Sequence, residues 1–448
     1  MTLINPFRRL TISLAIGAAL TLPAQAQNLQ NLYDLARGYD AVYLSAKSQF
    51  EANLAKAEQA RANILPTVNM TASATSTNLN TESSSPAPVT TPNRSFDNQS
   101  TSISASQPLY RPANLALYEQ SKKLVDQSKA QLETAEQELI VRVSQAYFDV
   151  LASQDSLAFV KAQKTAVAEQ LASAKRNFEV GTSTITDTRE AQARYDLVIA
   201  QEIAAENDLR VKYLAAMALV NLPAVEPKPL ASTRLPEILP ADVNFWVTQS
   251  QDVHPLVRLS QANLETIRLQ TEQAKAGHKP TLDLTASYNL NSNVGGSNLT
   301  AASTRTNSTS VGIQFALPLF AGFATQNRIK ETLLLQDKAR SDLDNAMRTV
   351  AQATRAAYFG VVSGLGQVKA LEAAEASSQS ALDANKLGYQ VGVRINIDVL
   401  NSQSQLFQTK RDLAKARYDV LVGGLKLRQA NGSLKAEDLQ SVNGLLAK

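Results

Sequence analysis

The chain contains no cysteine. That excludes disulfides, thiolate metal sites and cysteine nucleophiles, and it also excludes a lipid carried on an N-terminal cysteine. Histidine is limited to His254 and His278, which have no partner histidine at helical spacing and read as residues at helix ends. No G-x-S-x-G elbow, H-E-x-x-H pair or G-x-x-x-x-G-K-[ST] loop occurs, so catalysis and nucleotide hydrolysis have no foothold, and neither a metal nor a cofactor is expected. Aromatics make up only 6% of the 448 residues and alanine swells the apolar share, which argues against a large conventional core. The net charge of +4 includes Arg8 and Arg9, and no basic tract exists; a nucleic-acid partner has no electrostatic support.

Long apolar runs are missing too. The first 26 residues carry Arg8 and Arg9 as their only charges, an apolar run from Leu10 to Leu22 and an Ala24-Gln25-Ala26 end. These are the features of a secretory signal cut before Gln27, and the run is short of the ~20 residues a membrane anchor needs. No other stretch approaches 18 continuous apolar residues, so an exported, membrane-embedded form of this chain spans as β-strands.

The most regular stretch present is Ala113 to Val180, which holds neither proline nor glycine. Strong helix formers dominate it, and as one helix it would run about 100 Å. Apolar residues recur at sevens, as in Val143, Val150 and Leu157, then Val160, Val167 and Ala174. That spacing predicts a left-handed coil around neighbouring helices, and its narrow, alanine-rich stripe suits a rod or the wall of something hollow.

In chain order, a first repeat over residues 27–222 is expected to hold a helix over 28–65 broken at Gly38, strands at 66–77 and 100–110, the long helix at 113–180 and a helix at 182–222. The strand after Pro66 alternates Val68, Met70, Ala72 and Ala74 with Thr67, Asn69, Thr71 and Ser73. The polar, proline-rich run from Leu79 to Asn98 reads as an exposed loop. Prolines at 223, 227, 229, 236 and 240 mark a linker over 223–240. A second repeat over 241–432 follows, with a helix, strands at 280–291 and 308–319, a long helix at 323–387 and a helix at 393–430, then a tail at 433–448. The repeat is explicit: FEVGTSTITD from Phe178 returns as YQVGVRINID from Tyr389, and YFDVLAS from Tyr147 returns as YFGVVSG from Tyr358. Gly360, Gly364 and Gly366 interrupt the second long helix, by close helix contact or by a bend.

Each strand pair leaves and returns on one side, so the helices lie on one side of the membrane and both long loops on the other. Four strands cannot close a barrel. Two copies would give eight strands and an interior filled by side chains; three would give twelve and room for a lumen, so conduction favours a trimer. A non-conducting periplasmic coiled-coil adaptor or scaffold, whose strands form a soluble domain, is the competing reading.

AGHKPTLDLTASY, VGIQFALPLFAG, YQVGVRINIDVL and NGSLKAEDLQSVN resemble the TolC family of outer-membrane exit ducts, over essentially the whole mature chain. The resemblance implies an α+β membrane protein of two tandem repeats. It would be a homotrimer whose twelve-stranded transmembrane β-barrel, four strands per protomer in outer-membrane lipid, continues into a long periplasmic α-helical barrel. It further implies a periplasmic adaptor and an inner-membrane transporter of the ABC, RND or MFS type as partners, in drug efflux, type I protein secretion or both. At the periplasmic entrance, Asp398 matches an aspartate that forms a ring in the family, while the position of a second ring is Asn401 here. Tyr389 and Arg394 match residues that tie the inner coiled coil to Thr186 and Asp187 and hold the entrance shut, with Arg394 and the Tyr389 hydroxyl expected on the Asp187 carboxylate.

Overall fold

The computed structural model describes residues 27–80, 94–231, 235–297 and 302–447. The expected signal segment and residues 81–93 of the expected outer loop lie outside these. The helices are α1 (Leu29–Tyr39), α2 (Ala41–Ala62), α3 (Pro112–Glu179), α4 (Ile185–Val220), α5 (Val243–Val253), α6 (Pro255–Lys275), α7 (Ala324–Gln390), α8 (Asn396–Asn431) and α9 (Asp438–Asn443). The strands are β1 (Thr67–Leu79), β2 (Arg94–Tyr110), β3 (Thr281–Val294) and β4 (Thr304–Ala316). The chain divides into two compact units, one of residues 1–44, 136–245 and 354–448, the other of 45–135 and 246–353.

The second unit carries an antiparallel meander in the order β1-β2-β3-β4. Its register sorts side chains by chemistry. Val68, Ala105, Ala286 and Val311 stand opposite one another in one rung and Met70, Ile103, Tyr288 and Thr309 in the next on that face, which turns mixed toward the outer ends of the strands with Ala72, Thr101, Leu290 and Asn307 and then Ala74, Gln99, Ser292 and Arg305. The other face is built of five rungs: Thr67, Ser106, Thr285 and Gly312; Asn69, Ser104, Ser287 and Ser310; Thr71, Ser102, Asn289 and Ser308; Ser73, Ser100, Asn291 and Thr306; Thr75, Asn98, Asn293 and Thr304. None of these twenty positions carries an ionisable group. They bond across the strands, Ser102 Oγ to Asn289 Oδ1 at 2.6 Å and Asn98 Nδ2 to Asn293 Oδ1 at 2.6 Å.

At the helical end of the sheet Asp283, only 5% exposed, receives Arg111 through Nε at 2.8 Å and Nη2 at 2.6 Å. Gln107 Nε2 donates to Ile64 O at 3.1 Å, and Asn114 Nδ2 to Asn63 O at 2.7 Å. The strand ends are therefore tied to the helices that flank them by polar contacts at sites where proline has interrupted the ladder. β2 starts at Arg94, earlier than expected, because Asp97, Phe96 and Ser95 pair with Ser76, Thr77 and Asn78 despite their polar surroundings. β4 lies at Thr304–Ala316 and not at 308–319: Pro318 disfavours continuation, while Thr304 to Asn307 find partners on β3.

The first unit is held by residues spaced at sevens. Val160, Val167 and Ala174 of α3 pack with Ala191 and Val198 of α4 and with Leu400 of α8. Along α8, Val399, Leu406, Leu413, Val420 and Leu427 are all buried, as a coiled-coil seam requires. The helix α7 is unbroken through Gly360, Gly364 and Gly366. Close contact explains one of the three, since a Cβ on Gly364 would stand 2.9 Å from Val420 Cγ2; the other two face open space.

Three further differences from expectation have local causes. The break in the first helix is at Asp40 and not at Gly38: Asp40 is extended (ψ 115°), accepts the Tyr43 amide at 2.8 Å as a cap for α2 and takes Arg142 Nη2 at 2.8 Å on its other oxygen. The linker is pinned, with Pro227 bridging Gln27 and Leu230 bridging Leu446, and the buried Tyr147 hydroxyl donating to Lys228 O at 3.0 Å. The tail contains α9, whose Leu439 and Val442 are buried. His254 caps α6, its Nδ1 accepting the Leu256 amide at 3.1 Å, and His278 ends a short 3-10 turn.

Candidate functional site: the paired helical turns

Every candidate residue falls at the turns joining α3 to α4 and α7 to α8, and both turns lie in the first unit. The two turns have the same backbone. Gly181 and Gly392 each have φ +77°, a conformation that suits glycine. Asn177 O accepts the amides of Thr182 and Ser183 at 2.8 and 3.2 Å; Gly388 O accepts those of Val393 and Arg394 at 2.8 and 3.0 Å.

The side chains diverge. In the first turn Thr184 caps α4 and Asp187 closes a capping box. Asp187 Oδ2 takes the Ser183 hydroxyl at 2.6 Å, the Thr184 hydroxyl at 2.8 Å and the Thr184 amide at 3.0 Å. Partial burial works against the charge, but these three bonds outweigh it and hold the carboxyl below its ordinary value. In the second turn the cap position is Ile395, which has no hydroxyl to offer. Asp398 is thus left free of a cap and faces Arg394 Nη1 at 3.6 Å.

The pairing expected between Arg394 and Asp187 is absent from the bonds of the single chain: the turn occupies Oδ2 of Asp187, and Arg394 lies on Asp398. Tyr389 is half-buried and accepts Asn177 Nδ2 at 3.2 Å; it makes no bond to Asp187. Thr186 is exposed. Asn401 Oδ1 accepts Arg194 Nη2 at 2.8 Å.

Sequence reasoning missed two residues here. Asn396 is fully buried at the first position of α8, bonded by Gln170 Nε2 and itself donating to Asp187 O at 3.3 Å, so one amide links α8 to both α3 and α4. Gly388 is the second: a Cβ there would stand 2.7 Å from Arg394 Cγ, so glycine makes room for the arginine stem. Their signal in the sequence was the repeat itself, since they align with Ile185 and Asn177 in the first turn. Among the described residues no group of acidic or histidine side chains is placed to hold a metal ion, and no helix is long and apolar enough to cross a membrane.

A four-stranded amphipathic meander, with tandem repeats of long paired helices turning at matched glycines, defines the protomer of an outer-membrane channel. Residues 32–221 and 246–433 match the family described as "Outer membrane efflux protein", and the chain belongs to it. It is 33% identical over 440 residues to outer membrane protein TolC of Vibrio cholerae serotype O1, covering 97% of each chain. It is 30% identical over 352 residues to the alkaline protease secretion protein AprF of Pseudomonas aeruginosa, covering 78% of this chain and 73% of that one. Among solved structures it is similar to CusC (TM-score 0.79, 16% identity, 91% of this chain and 92% of that chain) and to the outer membrane protein VceC of Vibrio cholerae (0.75, 17%, 91% and 96%). The chain is an outer-membrane efflux and secretion channel protein; the family and these neighbours are channel proteins, not enzymes.

Proposed function

We propose that three copies of the chain close their sheets into one twelve-stranded barrel, and that the trimer is an exit duct fed by a periplasmic adaptor and an inner-membrane transporter of the ABC, RND or MFS type. The observation that carries this is the sheet: one face apolar in its rungs nearest the helices, one face of neutral polar residues, and both edge strands, β1 and β4, without an outer neighbour among the described residues. Open edges demand pairing, and in lipid only closure supplies it. Three copies rather than two leave a water-filled interior for the polar face to line. At the inner end, the Asp398 carboxylates of three chains would form a ring that favours cations. The entrance is held by the turns: Asn177 to Tyr389 and Asn396 to Gln170 and Asp187 fasten the two helical pairs, and Arg394 leaves Asp398 for the Asp187 carboxylate when the trimer closes. Mass measurement of the detergent-solubilised protein and single-channel recording in a planar bilayer test the reading. Trimers that conduct support it; monomers, or trimers without conductance, overturn it.

A further inference from the structure

Between α3, α4 and α8 lies a cleft of about 370 Å³ whose charged lining side chains, among the described residues, are Arg194 and Arg411. Neither arginine makes an ion pair among the described residues; Arg194 donates to the neutral Asn401 amide at 2.8 Å, and Arg411 to Gln408 Oε1 at 2.6 Å. Burial pushes the Arg411 guanidinium down from its ordinary value, more than the neighbouring Asp412 charge raises it. Three more polar atoms of the lining residues are buried and unbonded: Oε1 of Gln163, a residue only 3% exposed, Oε1 of Gln201 and Oγ of Ser404. A buried polar atom without a partner is costly, which singles this cleft out from the solvated charges elsewhere on the helices.

The unbonded groups specify what would fit. Two guanidinium groups and a hydroxyl call for an anion with several acceptor oxygens. Two amide oxygens call for a ligand that also donates. Chloride and carboxylates meet the first demand only. We propose that this cleft binds a protonated oxyanion, hydrogen phosphate or the monoanion of a phosphomonoester, with Arg194, Arg411 and Ser404 donating to its oxygens and Gln163 or Gln201 accepting a hydrogen bond from its hydroxyl. The volume is ample, since a water occupies ~30 Å³ of liquid. Asn401 is the position that leaves the site open: an aspartate there would place a carboxylate on Arg194 and compete with the ligand.

Calorimetric titration of the full-length protein in detergent with inorganic phosphate tests this without reference to conduction, so its failure leaves the duct reading untouched. Saturable binding at one site per chain is expected, tighter than for acetate. Arg411→Gln and Asn401→Asp should each weaken it by at least about tenfold, the loss of one charge-assisted contact. Gln163→Leu should narrow the preference for phosphate over acetate. If Arg411→Gln fails to assemble, Asn401→Asp, an exposed substitution, decides alone. No saturable heat, or phosphate binding unchanged in the variants that assemble, overturns the proposal.

Discussion

Asp187 and Asp398 occupy the same position in two turns of identical backbone, and their carboxylates do different things. Asp187 closes the cap of α4 with three bonds, while Asp398 is uncapped and faces Arg394 at 3.6 Å. One carboxylate has an oxygen engaged by its own helix, and the other is available to the proposed entrance ring. Asp398→Ala is therefore expected to reduce the cation preference of single channels in a planar bilayer, and Asp187→Ala to leave it unchanged. With Asn401 in place of a second carboxylate, wild-type selectivity and block by multivalent cations should be weaker than where both positions are acidic. An unchanged preference in Asp398→Ala would sink the ring.

The same contrast sets a pH dependence. Asp187 has a folded value below its ordinary one, so its contribution is fully present above about pH 4 and is lost as pH falls through the folded value. Asp187→Ala should cost about 1 kcal/mol, as for loss of a helix cap. The difference between wild type and Asp187→Ala in thermal unfolding should shrink on acidification and vanish once the carboxyl is protonated.

Two of the glycines of α7 make opposite predictions. A Cβ on Gly364 would meet Val420 at 2.9 Å, whereas one on Gly360 meets nothing within 4 Å. Gly364→Ala should destabilise by roughly 1–3 kcal/mol through overpacking. Gly360→Ala should stabilise by up to ~1 kcal/mol through helix propensity. Chemical denaturation of the two variants separates them; a shift of the same sign in both would show that the α7–α8 contact is looser than these distances indicate.

The proposed gate concerns Tyr389 and Arg394. Replacing them together, Tyr389→Phe with Arg394→Ser, removes the acceptor of the Asn177 bond and the cation proposed to close the entrance, and should raise single-channel conductance several-fold with the trimer intact. Each such contact is worth roughly 1 kcal/mol when partly wet, repeated in every chain, enough to bias a closed state without locking it. Wild-type conductance in that double variant would place the gate elsewhere.

How much of this was readable from the sequence follows from the range of each interaction. The heptads of α3, the alternation after Pro66 and the doubling of the turns are local patterns, and each matches an element of the fold. The strands' outer ends were not readable, because Ser95 and Asp97 look like loop residues until their partners on β1 are known. The partners of Arg394 and Asp187 were missed for a different reason. A sequence shows which charges sit near one end of the molecule but not that Ser183 and Thr184 already bond one oxygen of Asp187 while Ile395 offers Asp398 no hydroxyl.

The face of the sheet that would line the barrel yields the last prediction. Its five rungs hold serine, threonine, asparagine and one glycine, with no ionisable group over twenty positions in one chain. Such a wall offers an ion dipoles of either sense and no net field, so the barrel should not discriminate by charge and selectivity should arise at the helical end alone. Ser104 lies in the middle of β2, opposite Asn69 and Ser287. Ser104→Asp would put one carboxylate per chain into the lumen, far enough from the flanking neutral rungs' ends to leave strand pairing intact. Combined with Asp398→Ala, it should restore the cation preference that Asp398→Ala alone removes, read as a reversal potential under a salt gradient. If Ser104→Asp leaves the reversal potential where Asp398→Ala put it, the hydroxyl and amide face does not line the path that ions take.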